Sequence, residues 1–89
     1  MVEKHDLVSR VTVLISKVNE EQEIAFPVDF HKSFDDLGFD WLSHAELVML
    51  LEEEFSIIIS DEDAQGLVTP QMVVTYLSKV AHERPLTNK

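Results

Sequence analysis

The sequence predicts an all-α protein with three longer helices, one short helix and a long first loop. Three stretches repeat their apolar residues with the 3.6-residue period of a helix. Asp40, Ser60 and Thr69 stand where the N-cap residues of helices are expected. The apolar run at 57–59 looks locally like a strand, but a run of that length without a pairing partner does not form a sheet. We therefore expect residues 1–89 to form a single small helical domain.

The first helix is predicted over about residues 3–18. Its apolar residues share one face, and this stretch contains neither Gly nor Pro: Leu7, Val8, Val11, Leu14, Ile15 and Val18. The following stretch, 19–33, has no sustained period. Pro27 interrupts it, and Phe26, Phe30 and Phe34 are scattered near its end. We expect a long ordered loop that these rings hold in place, and loops of this length are often functional.

The second helix is predicted over 41–55, after a tight connection in which Gly38 can take a positive φ and Asp40 caps the helix. Two stripes follow from its period. One is wholly apolar and suits a core: Leu47, Val48, Leu50, Leu51 and Phe55. The other alternates carboxylates with apolar side chains: Leu42, Glu46, Met49, Glu52 and Glu53. Since a lone buried carboxylate is costly, we expect this second stripe to be a surface that meets a basic partner.

The remaining elements are a buried extended connector at 57–59, a short helix at about 61–66 and a last helix at about 70–81. Ser60 is expected to cap the short helix, with the Asp63 carboxylate reaching back to it as in a capping box. Gly66 is suited to end that helix. Thr69 caps the last helix and Pro70 takes its first position. The tail 82–89 contains Pro85 and is expected to be frayed.

The charge is strongly one-sided, with a formal net charge of −10 and a pI near 4.6. Ten acidic residues lie between Asp35 and Asp63, with no Lys or Arg among them. Such a field repels nucleic acids and anionic membranes and attracts proteins with basic patches. The chain has no Cys, which excludes disulfides and thiolate sites. No apolar run approaches the ~20 residues of a membrane span. We expect an intracellular protein that is monomeric in isolation, without membrane insertion or nucleic-acid binding.

Residues suited to catalysis or metal binding do not form a convincing constellation. Ser43 and His44 are neighbours that point about 100° apart on a helix, so we read them as an exposed pair at the helix start. The four His residues have no metal-ligand spacing. Asp61, Asp63, Gln65 and Gly66 match the start of a calcium loop, but Met72 stands where its bidentate Glu belongs. We expect neither an enzyme nor a metal site.

The central block resembles the acyl carrier proteins. The similarity lies in D-L-G-F-D at 36–40, Leu42, E-L-V-M at 46–49 and L-E-E-E-F at 51–55, and it continues through 57–63 and 69–77. It covers nearly the whole chain from residue 3 to 81. The resemblance implies a small four-helix bundle whose interior can hold a fatty acyl chain. It also implies a 4′-phosphopantetheine arm on the Ser of an Asp-Ser-Leu motif, followed by an acidic helix that docks onto basic patches of partner proteins.

One residue breaks the resemblance, because the motif here reads Asp40-Trp41-Leu42. Attachment of the arm needs a hydroxyl oxygen, which an indole does not have. Trp41 is therefore not modifiable, and 4′-phosphopantetheine is expected only in family members with Ser at this position. Ser43 should project from a different side of the helix and is a poor substitute. The indole could fold over Leu42, insert into a partner as an anchor, or have been introduced to block the arm.

Two main hypotheses for function follow from the resemblance. In the first, the chain is a scaffold or accessory subunit that docks partners through Asp36, Asp40, Leu42, Glu46, Met49, Glu52 and Glu53. Its partners would be basic surfaces of fatty-acid-synthesis enzymes or of a multi-subunit complex, in the cytoplasm or in the matrix of a mitochondrion or plastid. In the second, it is an acyl carrier protein of fatty acid or related biosynthesis whose Ser was replaced by Trp41 through engineering. A third hypothesis, an acidic metal-responsive helical protein, is disfavoured by the incomplete calcium pattern.

Overall fold

The computed structural model describes residues 4–19 and 28–83, and four helices lie within these ranges. They are α1 (Lys4–Asn19), α2 (Trp41–Phe55), α3 (Asp61–Gln65) and α4 (Pro70–Glu83). The described residues contain no strand, so the prediction of an all-α fold is confirmed. Within the same ranges, no helix has the length and apolar character needed to cross a membrane.

The three predicted N-caps are confirmed by their hydrogen bonds. Asp40 Oδ1 accepts from the backbone N–H of Ser43 at 2.8 Å. Ser60 Oγ accepts from the N–H of Asp63 at 3.1 Å, and Thr69 Oγ1 accepts from that of Met72 at 3.1 Å. Each bond satisfies one of the backbone donors that a helix start leaves without an intrahelical acceptor. The cap residues therefore fix where α2, α3 and α4 begin.

The Asp63 carboxylate departs from the predicted capping box. Its Oδ2 accepts a 3.1 Å hydrogen bond from the Tyr76 hydroxyl on α4. The side chain therefore ties α3 to α4. Gly66 follows α3 as predicted, but it keeps a right-handed conformation with φ of −80°, so the residue does not use glycine's access to positive φ there.

The last helix is longer than predicted, because His82 and Glu83 are helical. The helix thus ends two residues past its predicted end near residue 81, and most of the tail 82–89, namely 84–89, lies outside the described residues, so its fraying stays a prediction. Between Pro70 and Pro85 the sequence contains neither Gly nor Pro. No helix-breaking residue therefore interrupts α4 before Glu83.

The core lies where α1 packs against α2 and α4. Leu7, Val11 and Ile15 of α1 are fully buried, as are Val74 and Leu77 of α4. The predicted core face of α2 is confirmed, with Leu47, Leu51 and Phe55 buried and Val48 and Leu50 half-buried. The Arg10 guanidinium adds a polar link from α1 to α2: its Nη2 lies 2.8 Å from Glu54 Oε2, and its carbon lies 4.5 Å from the centre of the Phe55 ring.

The connection from α2 to α3 is extended and partly buried, as predicted. Ser56 ends α2 in the left-handed region with φ of 56°, which turns the chain away from the helix axis. Ile57 and Ile59 then point into the core, whereas Ile58 between them is 86% exposed. This alternation follows from extended backbone, in which successive side chains face opposite sides.

Part of the predicted long loop lies outside the described residues, namely 20–27 with Phe26. In the part that is described, Phe34 is buried and Phe30 is half-buried against the core. Two backbone bonds join this segment to the start of α4: Phe34 N to Val68 O at 2.8 Å and Gln71 N to Phe30 O at 2.9 Å. The following turn contains Gly38 at φ of 98°, as predicted, and delivers the chain to Asp40.

Candidate functional site

The start of α2 is held by Asp40 and Ser43, the residues on either side of Trp41-Leu42. Asp40 Oδ1 accepts both the backbone N–H and the hydroxyl of Ser43, each at 2.8 Å. These two bonds, the backbone bond above all, lower the pKa of Asp40 below its ordinary value. Because hydrogen bonds to the charged form favour it, this carboxylate stays ionised at neutral pH.

Ser43 is buried, with 2% of its surface exposed, so the prediction of an exposed Ser43–His44 pair is wrong. Ser43 lies four residues before Leu47 and eight before Leu51, both of which are core residues. This spacing places it on the core face of α2. That spacing was visible in the sequence and could have identified it. The buried hydroxyl is satisfied by Asp40, as buried polar groups generally are.

His44 belongs to α2, is half-buried and faces the segment after α3. Its Nε2 is 2.8 Å from the carbonyl oxygen of Leu67. Since a carbonyl only accepts, Nε2 carries the hydrogen in this contact. The ring also meets Phe34 edge-on, with the ring centres 5.4 Å apart. His44 thus joins three segments of the fold, and the described residues contain no group of three His, Cys, Asp or Glu side chains arranged for a metal ion.

Trp41 is the first residue of α2, and 80% of its surface is exposed. The neighbouring Leu42 is 61% exposed, so the two side chains do not cover each other extensively. Trp41 offers one indole N–H and no hydroxyl. The next hydroxyl along the chain is that of Ser43, which is buried and bonded to Asp40. At this helix start, the exposed side chains of residues 40–42 therefore carry no hydroxyl, and the hydroxyl of Ser43 is buried.

The stripe of α2 that the sequence assigns to docking lies mostly in solvent. Leu42 and Met49 are each 61% exposed, and Glu46 and Glu53 are exposed beside them. Asp36 and Asp40, which the sequence places at the edge of the stripe, are exposed as well. We call Leu42, Glu46, Met49 and Glu53 the acidic face of α2.

Glu52 differs from its neighbours on this helix. It is half-buried, and its Oε2 accepts the backbone N–H of Ile59 at 2.8 Å. The carboxylate therefore supports the connection between α2 and α3 from the side. This contact spans a chain reversal at Ser56, which the helical period of α2 does not encode.

Glu52→Ala is expected to lower the free energy of unfolding by about 1–3 kcal/mol, because the Ile59 N–H would lose its acceptor near the core. Glu53→Ala, at the exposed neighbouring position, is expected to change it by at most about 0.5 kcal/mol. Urea denaturation followed by circular dichroism measures both. Equal effects of the two substitutions would contradict a structural role for Glu52.

A groove of about 510 Å³ runs between α2 and α3. Trp41, Ala45 and Met49 line it from α2, and Ile59 and Ala64 line it from the other side. Sequence reasoning missed this groove because it depends on where α3 packs. Its α2 wall nevertheless has a sequence signature, since Trp41, Ala45 and Met49 are separated by four residues and share one side of the helix.

A protein-family model matches most of the length of the chain. The family model described as a phosphopantetheine attachment site matches residues 9–77. The matched region contains α2, α3 and the Asp40-Trp41-Leu42 segment in full, and the all-helical architecture agrees with a small carrier domain. Members of this family carry 4′-phosphopantetheine. The chain therefore belongs to the phosphopantetheine-attachment family, that of the acyl carrier proteins.

Proposed function

We propose that this chain is a carrier-like binding module that docks basic partner proteins through the acidic face of α2 and does not itself carry 4′-phosphopantetheine. It would act as a scaffold or accessory subunit, with binding rather than catalysis as its contribution. The observation that supports the proposal is the exposed Trp41 in the carrier-like segment Asp40-Trp41-Leu42, at the start of a helix that exposes both carboxylates and apolar side chains.

Covalent loading is disfavoured by the chemistry at the head of α2. The exposed side chain there is an indole, and the Ser43 hydroxyl is buried and donates to Asp40. Moving that hydroxyl to solvent would require breaking its bond and opening the core side of the helix. Position 41 therefore presents an apolar surface where other family members present their modified Ser.

Docking is supported by the charge around that surface. From residue 33 to residue 78 the chain has no Lys or Arg, and Glu46 and Glu53 flank the exposed Leu42 and Met49. An acidic face of this kind steers basic partners and fixes their orientation. Basic surfaces of fatty-acid-synthesis enzymes, or of a multi-subunit complex, are the partners that fit this chemistry.

The acidic face can be tested by reversing its charges. Glu46→Lys with Glu53→Lys is expected to weaken binding to a purified carrier-dependent synthase by at least about tenfold, because both carboxylates would then repel the basic patch. Asp6→Lys with Glu62→Lys is the control, since it changes the net charge equally at exposed positions outside α2. Surface plasmon resonance at two salt concentrations measures both pairs.

Equal loss of binding in the two double variants would show that only net charge matters. Unchanged binding in the α2 variant would remove the acidic face from the proposal. Glu52 is left intact in this design because its carboxylate also supports Ile59, so its reversal would mix stability with binding.

A second function is favoured by the intact surroundings of position 41. Asp40 and Leu42 stand on either side as in an Asp-Ser-Leu motif, and the Asp40 cap is formed. These features fit an acyl carrier protein of fatty acid or related biosynthesis in which Trp41 replaces the Ser through engineering. Restoring Ser at position 41 distinguishes this alternative.

A further inference from the structure

Trp41, Leu42 and Met49 form an exposed apolar patch on α2. They are 80%, 61% and 61% exposed, respectively. On a helix of 3.6 residues per turn they fall within about 100° of one another, with Ala45 between Trp41 and Met49. Exposed apolar patches with polar rims mark interaction sites, and the rim here is acidic, with Glu46 and Glu53 alongside.

The same patch borders the groove between α2 and α3. Along α2 the groove runs from Trp41 to Glu52, a distance of ~16 Å at 1.5 Å per residue. Its opposite wall includes Ile59 and Ala64, with the exposed Asp61 at the rim. The lining also includes the polar side chains of His44, Glu52 and Gln65. An elongated groove that combines apolar and acidic side chains suits an amphipathic helix with basic residues.

We propose that the Trp41 indole is the anchor of this surface and inserts among the apolar side chains of a basic amphipathic helix that lies along the groove. This inference rests on the proposed docking function. It adds that the partner contributes a helix and that Trp41 is the residue that recognises it. The acidic rim requires Lys or Arg around the partner's apolar stripe. A second copy of the chain does not fit, because each carries a formal net charge of −10.

The indole is suited to this role by its size and position. Trp is enriched among the few interface residues that dominate binding energy, and its large rigid ring loses little conformational entropy on burial. Trp41 stands at the end of the groove, where a ring that is mostly in solvent can become covered without any change in α2.

The chain's single Trp makes the test direct. Two synthetic helical peptides of equal charge and length are titrated into the protein, one patterned with Lys and Leu and the other with Lys and Ala. The Leu peptide is expected to shift the Trp41 emission to shorter wavelength and to bind about tenfold more tightly than the Ala peptide. The Trp41→Ser variant has no Trp, so its peptide affinities are measured by fluorescence anisotropy of labelled peptides. We expect the Leu and Ala peptides to bind this variant with similar affinity. Ile58→Ser, which removes an apolar side chain that is 86% exposed outside the groove lining, should keep the difference.

The failures of the two proposals look different. In one outcome, Glu46→Lys with Glu53→Lys weakens binding of the Leu peptide, but the peptide does not shift the Trp41 emission and Trp41→Ser does not change the ratio of the two peptide affinities. This outcome would overturn the anchor and leave the docking face. If neither peptide binds, the helical partner and the Trp41 anchor are overturned, and the synthase binding experiment decides the docking face separately. An emission shift that grows with protein concentration in the absence of peptide would assign the patch to a second copy and overturn the proposed partner.

Discussion

Trp41→Ser is expected to convert a chain that stays unmodified into one that gains a single 4′-phosphopantetheine group when incubated with a promiscuous phosphopantetheinyl transferase and coenzyme A. Position 41 is the exposed first residue of α2, so a Ser there would present its hydroxyl to solvent. Asp40 would still cap the helix through Ser43, and Leu42 would still follow. Intact-mass measurement of both proteins gives the result directly.

Two further variants locate the modification. Trp41→Ala should remain unmodified, since removing the indole without supplying a hydroxyl restores no attachment atom. Trp41→Ser combined with Ser43→Ala should still be modified. Modification of the starting protein, mapped to Ser43, would overturn the argument from burial. A Trp41→Ser protein that stays unmodified would count against the engineered-carrier alternative, because the recognition surface would then be altered elsewhere as well.

Leu51→Ala is expected to lower the free energy of unfolding by about 3 kcal/mol, within the 2–5 kcal/mol typical of a buried Leu truncated to Ala. Leu51 is 1% exposed on the core face of α2, and the surrounding helices would close the resulting cavity only in part. Domain stabilities are about 5–15 kcal/mol, so this one change would remove a large share. Urea denaturation followed by circular dichroism measures the loss.

Leu42→Ala is the matched control, because it makes the same truncation on the same helix at a position that is 61% exposed. We expect its free energy of unfolding to change by at most about 0.5 kcal/mol. Its affinity for the Lys-Leu peptide should nevertheless fall, since Leu42 belongs to the exposed patch. Similar destabilisation by both substitutions would mean that the assignment of the two faces of α2 is wrong.

The parts of this fold that the sequence predicts correctly depend on local chemistry. An N-cap needs only a side-chain oxygen and a backbone N–H within the next turn, so Asp40, Ser60 and Thr69 could be assigned directly. The two faces of α2 follow from its period. The interpretation of Trp41 rests on the carrier-like residues on either side of it and stays a prediction.

The parts that were missed depend on packing between elements. Ser43 is an exception, because its four-residue spacing from Leu47 already places it on the core face, whereas the sequence analysis predicts an exposed pair with His44. Glu52 matched the docking stripe by period, yet the chain reversal at Ser56 brings Ile59 N–H to its carboxylate. The groove beside Trp41 requires the position of α3, which no repeat in the sequence specifies.

The hydrogen bonds that start α2 involve residues 40 and 43 and leave the side chain at 41 out of the capping arrangement. The hydrogen bonds of this cap therefore do not depend on whether residue 41 has a hydroxyl or an aromatic ring. Under the proposed function, a single substitution at this residue would replace a covalent attachment point with an apolar contact for a partner, without moving any helix. The hydrogen bonds that start the helix would then be the same in a carrier and in a binding module.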